Sequence, residues 1–182
     1  RNSPPRTSAS RRSPSSTASS STGITTTGEE GTISVTTNNS GVESTVYEGD
    51  EGVAILGFKV EANDSDIAVQ RIKLDLGTAT TIYRKIYDKL YVTVDDEVLA
   101  SKELDASTVT KSGSRYYVTM ADFSYVVSEG DTVQFVIKAD VNSSIDTGDQ
   151  GSYSVSLAKD GVRGVDGAGI DQYDGSTDAT TL

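Results

Sequence analysis

The chain has 182 residues, with 27 acids against 16 bases, a net charge of −11 and a pI near 4.4. It holds no cysteine and no histidine, which excludes a disulfide framework, a Cys/His zinc site and catalysis relayed through an imidazole. A surface this acidic repels polyanions, so nucleic acid is excluded as a partner, and no run of 18 apolar residues is present to span a membrane.

Residues 1–28 are a different polymer from the rest. They hold 15 Ser or Thr, the prolines Pro4, Pro5 and Pro14, the arginines Arg1, Arg6, Arg11 and Arg12, and no acid. Such a composition buries too little apolar surface to order itself and reads as a linker, a stalk or an extended basic arm. The rest of the chain carries 12 bases and 27 acids, so arm and body attract each other, within one chain or between two. The chain starts at Arg1 without a methionine, as a processed product or an excerpt would.

From residue 31 the hydrophobic period becomes two. Ile33 and Val35 alternate with polar neighbours, and Ala54, Leu56, Phe58 and Val60 form the next run. Ile67 and Val69 then stand in one phase and Ile72, Leu74 and Leu76 in the other, which predicts a β-bulge or bend near Gln70-Arg71. Between Thr81 and Asp88 the repeat is four, at Ile82, Ile86 and Leu90 and at Tyr83, Tyr87 and Tyr91, and a helical turn crossing between sheets is expected there. Alternation returns at Leu90 to Val94, with Val98 to Leu104 as the returning strand, and again at Tyr116 to Met120, Val133 to Ala139 and Tyr153 to Leu157. Turn-forming clusters at residues 48–52, 63–66, 95–97, 111–114, 128–131 and 146–149 punctuate these runs. Seven or eight short strands so spaced predict an all-β, immunoglobulin-like, antiparallel Greek-key sandwich with an extended N-terminal arm. The expected division is an arm at 1–28, a sandwich at 29–175 and a tail at 176–182.

The strand text Val53-Ala-Ile-Leu-Gly-Phe-Lys-Val60, Asp66 to Leu74, Tyr87 to Asp95, Glu97 to Ala100, Gly130 to Val141 and Gly161 to Ile170 resembles a β-sandwich domain of large exported proteins of candidate-phyla (patescibacterial) bacteria. That resemblance covers residues 31–175 and implies a secreted, cell-surface location in a surface-layer or cell-envelope protein. It transfers no catalytic motif.

Calcium is the one cofactor the residues suggest, because a hard cation needs several oxygen ligands. Asp160, Asp166, Asp171 and Asp174 share one glycine-rich segment, although Asp and Gly there also suit ordinary turns. A phosphate cradle on the glycines at 161–169 lacks the helix that would have to follow it. Asn38, Asn63 and Asn142 open glycosylation acceptor tripeptides. Two stretches are candidate interfaces. Ile24, Ile33 and Val35 lie on a segment suited to pair with a neighbour's sheet edge. Tyr83, Arg84, Tyr87 and Tyr91 combine residue types enriched where proteins meet. No constellation for catalysis emerges, and no enzyme is expected. The expected function is a structural subunit of an extracellular surface layer or filament, built through arm and edge-strand contacts between copies. The alternative is an adhesin or ligand-binding module on a Ser/Thr-rich stalk, with a cell-wall glycan or host surface as partner.

Overall fold

The computed structural model describes residues 23–175 and the backbone of residues 180–181. Residues 1–22, most of the expected arm, and residues 176–179 and 182 of the tail lie outside the described part. In chain order the strands are β1 (Thr32–Thr37), β2 (Val53–Asn63), β3 (Ile67–Asp75), β4 (Tyr87–Val94), β5 (Glu97–Glu103) and β6 (Val109–Ser112). They continue with β7 (Arg115–Met120), β8 (Tyr125–Val127), β9 (Thr132–Val141), β10 (Ser154–Val165), β11 (Asp171–Asp174) and β12 (Thr180–Thr181).

One sheet runs β1-β2-β9-β4-β5 and the other β11-β10-β3-β7-β6, with β8 also on β3 and β12 on β10. All pairings are antiparallel. The expected antiparallel sandwich is what forms. Its core is the set of inward residues that alternation marks. Phe58, Val60, Leu74, Val92, Val118, Phe135 and Ile137 are fully buried, and the Phe58 and Phe135 rings stack at 5.6 Å. Strands of this length gain their stability from that facing apolar area, at about 25 cal/mol per Å² buried.

The phase switch in β3 has a direct cause. Arg71 pairs with Arg163 and Val69 with Gly164, so Gln70 is an extra residue opposite β10. At the same point β3 changes its other neighbour, from β8 at residues 67–69 to β7 at residues 72–75. A second irregularity, at Ile55 of β2, lets Ile55 and Leu56 both be buried. The expected crossing turn is a single π-helical turn, Ile82–Ile86, which carries the chain from β3 in one sheet to β4 in the other.

The two ends of the sandwich differ. At one end the connections are short, with residues 64–66, 95–96, 128–131 and 166–170 joining their strands. Asp95 and Asp96 both have positive φ (49° and 65°), the two-residue reversal that suits the twist of a β-hairpin. At the other end lie the three longest connections, residues 38–52, 76–86 and 142–153. Long connections with little regular structure are uncommon in compact domains and concentrate at functional surfaces.

Candidate functional site

At the loop end, residues 47–52 form a strap tied down across β9. Gly49 N–H donates to Asn142 O at 3.0 Å, and Val141 N–H donates to Asp50 O at 2.8 Å. Gly52 N–H donates to an Asp140 carboxylate oxygen at 2.8 Å, and Ile145 N–H donates to Glu48 Oε1 at 3.0 Å. Gly49 and Gly52 have φ of 77° and 62°, conformations that a β-carbon disfavours.

On either side of this strap lies a groove. The first, about 640 Å³, has apolar walls of Val46, Tyr47, Ile145 and Tyr153 over a floor of Ile86 and Tyr87. Tyr47 is 69% exposed, the most exposed large apolar side chain among the described residues. The second, about 490 Å³, is lined by Glu51, Asp88, Glu103, Asp105 and Asp140, with Lys89 as its one cation. A bulge at Asp88, between the paired residues Tyr87 and Lys89, divides the strand between the two grooves. Tyr91 O–H donates to Asp140; that bond, then burial, then the charges of Asp140 and Glu51 push its phenol up to about 12.

The opposite end holds a buried polar clamp. Thr25 donates its N–H and its hydroxyl to Asp66 Oδ2 at 2.6 and 2.7 Å, and Glu129 N–H donates to Asp66 Oδ1 at 2.9 Å. Asp66 N–H donates in turn to Thr26 Oγ1 at 2.8 Å. Gly28 N–H reaches Gly167 O at 2.6 Å, and Gly31 N–H reaches Asp166 Oδ2 at 3.1 Å. Asp166 also accepts from the N–H groups of Ala168 and Ile170 and from the Gln172 side-chain amide. Ser65, Asp66 and Asp166 are almost completely buried. Burial alone would raise both carboxyls, but the donors around them outweigh it. Thr25, Glu129 and Thr26 hold Asp66 below the ordinary range, and Ile170, Gly31, Gln172 and Ala168 do the same for Asp166.

Ile33 and Val35 lie on β1, which pairs within its own chain to β2 along residues 32–37. In this single chain the segment 24–35 therefore lies on its own body. Its outer edge is partly covered, since Val35 N–H donates to Asp174 Oδ2 at 2.6 Å. Ile24 is half-buried beside the clamp. Tyr83 and Tyr87 are core side chains, 5% and 2% exposed, and not a surface patch. Tyr83 packs against Tyr116 at 5.3 Å, and burial pushes the Tyr87 phenol up to about 12. Arg84 is exposed and Tyr91 half-buried. Asp160, Asp166, Asp171 and Asp174 do not converge. Asp166 is filled by protein donors, Asp174 serves Val35 and Gly175, and Asp171 lies 3.7 Å from Arg163. Among the described residues no three acidic side chains gather as a metal set. Of the four, Asp166 is the buried one, and its oxygens already accept from Gly31, Ala168, Ile170 and Gln172. Asn38 is tied to Gln134 at 2.6 Å and Asn63 faces Ser34 at 3.4 Å. Sequence patterning does not mark Tyr47, Glu48 and Ile145 as groove residues, since they stand in polar runs without a period, and it reads Tyr153 only as a strand residue.

No protein-family model matches the chain, and no curated protein does. Among solved structures, the collagen binding domain of Erysipelothrix rhusiopathiae surface protein RspB is similar at 15% identity and a TM-score of 0.23. That match covers 85% of this chain and 56% of the other, so the chain spans a little over half that protein's length. At this similarity it supplies nothing about the site. Among the described residues no helix is long and apolar enough to cross a membrane.

Proposed function

We propose that this chain is a non-catalytic binding module of an extracellular surface protein, and that its loop end holds an extended, basic segment of polypeptide. One observation carries the reading. The long connections meet at one end and open two adjoining grooves, one apolar and tyrosine-walled, the other acidic. Together the grooves present six carboxylates, counting Glu48, against the single ammonium of Lys89. An apolar slot beside an acidic one suits a chain with small or apolar residues and arginine or lysine a few positions away. Aromatic walls supply contact area at low conformational cost, and the unbalanced carboxylates select for cations.

The extracellular setting is supported by the absence of cysteine, the acidic surface and the Ser/Thr-rich N-terminal stretch. A structural subunit of a surface layer or filament is the second reading. The polarity of the sandwich favours it, with an anchored N-terminal segment at one end and an open groove at the other.

Backbone-amide NMR during titration with a synthetic arginine–proline peptide, and with its glutamate–proline counterpart, tests the first reading. The basic peptide in excess should shift the amides of residues 44–51, 86–89 and 140–153, and the acidic one should not. Equal response to both peptides, or shifts scattered over both sheets, would remove the reading.

A further inference from the structure

We infer that the occupant of the loop-end grooves is the basic arm, residues 1–22, of a second copy of this chain, so that copies join head to tail. The inference rests on the loop end being the binding end, and it adds the identity of the partner.

Three observations point the same way. The first is where the arm leaves the body. Thr25 and Thr26 are fixed to Ser65 and Asp66, and Gly28 to Gly167, at the short-turn end. The arm therefore emerges at the end opposite the grooves.

The second is chemistry. Residues 1–22 carry Arg1, Arg6, Arg11 and Arg12, three prolines and no acid, the only acid-free stretch of such length in the chain. Arginine pairs with carboxylates through a planar fork of donors, and proline lowers the ordering entropy of an extended segment. The walls offered by Glu51, Asp88, Glu103 and Asp140 carry the opposite charge.

The third is reach. At full extension the 11 steps from Arg12 to Gly23 span about 40 Å. β2 alone, with its 11 residues, is about 36 Å long, and the grooves lie beyond its far end. Arg11 and Arg12 would have to run straight along their own sandwich to arrive at all. On an end-on neighbour the groove faces the arm's exit, and Arg11 and Arg12 arrive with chain to spare, whereas Arg1 and Arg6 have length enough for either groove.

Such a contact uses two different surfaces of one chain. It is heterologous, so repetition closes into a ring or grows into a filament. Its strength depends on opposed charges at a solvent-facing end, so salt weakens it.

The absence of cysteine allows a direct test in the full chain. Three single variants are prepared: Ser10→Cys in the arm, Ser143→Cys in the acidic groove and, as control, Thr110→Cys on an exposed position of β6. Ser10→Cys chains are mixed under mild oxidation with either of the other two, and mixed dimers are read on a non-reducing gel. The expected result is several-fold more mixed dimer with Ser143→Cys than with Thr110→Cys, with the excess lost when Arg11→Glu and Arg12→Glu are added to the arm. Equal yields with both partners would overturn the inference. So would a Ser10→Cys/Ser143→Cys double variant that, alone at assembling concentrations, closes only within one chain. Either failure leaves the peptide titration free to stand, whereas a failed titration removes the groove reading itself.

Discussion

At the scale of single residues, the buried carboxylates Asp66 and Asp166 decide where the N-terminal segment goes. Each is surrounded by N–H and O–H donors, so its charged form is favoured over its neutral form in spite of burial. A carboxyl whose pKa is depressed on folding adds stability at pH above its unfolded value, near 3.8 for Asp. That contribution falls away as pH drops from there through the lower folded value. The clamp should therefore hold at pH 5 and loosen progressively as pH falls below the ordinary aspartate value of 3.8. Amide exchange at Thr25, Thr26 and Gly31 should accelerate over that window. Asp66→Asn replaces an acceptor-only group by one that also donates, leaving N–H groups unpaired. It should destabilise the chain by about 2 kcal/mol in urea unfolding and flatten the acid dependence. Gly167 makes a separate test, because a β-carbon there would collide with the backbone carbonyl of Thr26 and crowd Ser65 Oγ. Gly167→Ala should release residues 23–31 to limited proteolysis while the circular dichroism of the sheets is retained. Simultaneous loss of sheet signal would show that the clamp and the core are one cooperative unit.

At the scale of elements, what the sequence makes legible is what local burial writes into it. The alternation of Leu90, Val92 and Val94, or of Val133 through Ala139, reports a strand with one face on the core. The change of phase at Gln70-Arg71 reports a real extra residue in β3 and a change of neighbours there. The four-residue repeat at 82–91 correctly marks a crossing turn, yet it misplaces Tyr83 and Tyr87. A tyrosine reads as a surface or core residue with equal ease, and only the packing of the π-helical turn against Tyr116 decides. The short β6 and β8 carry too few residues to show a period. The grooves are invisible in sequence for a different reason. Their walls are brought together by bonds such as Ile145 N–H to Glu48 Oε1, across 97 positions, and no local pattern encodes such a separation. The clamp is the same case, since Gly31 and Asp166 stand 135 positions apart.

At the scale of the whole molecule, charge acts in two opposed ways, and salt separates them. Within one body, 27 acids far outnumber the bases, so folding brings like charges together and the compact state repels itself. Screening relieves that repulsion. Among the described residues few ion pairs work against it: the bridges from Lys85 to Asp146 and Asp149 are 3.8 Å long and at least partly exposed, and such pairs contribute little. Raising sodium chloride from 10 to 150 mM, over which the screening length shrinks from about 30 to 8 Å, should therefore raise the thermal midpoint of the dilute monomer. Between copies the sign reverses, because a basic arm meeting an acidic groove is an attraction, and screening weakens it. The same change of salt should shift sedimentation of the concentrated chain toward monomer. Differential scanning fluorimetry at low concentration and analytical ultracentrifugation at high concentration read the two effects on one sample. Stability and association that both rise with salt would mean that copies meet through apolar surface, with Val98, exposed on the edge strand β5, as the first place to look. Opposite responses require a contact between unlike charges, and residues 1–22, with four arginines and no acid, are the stretch of this chain suited to make it.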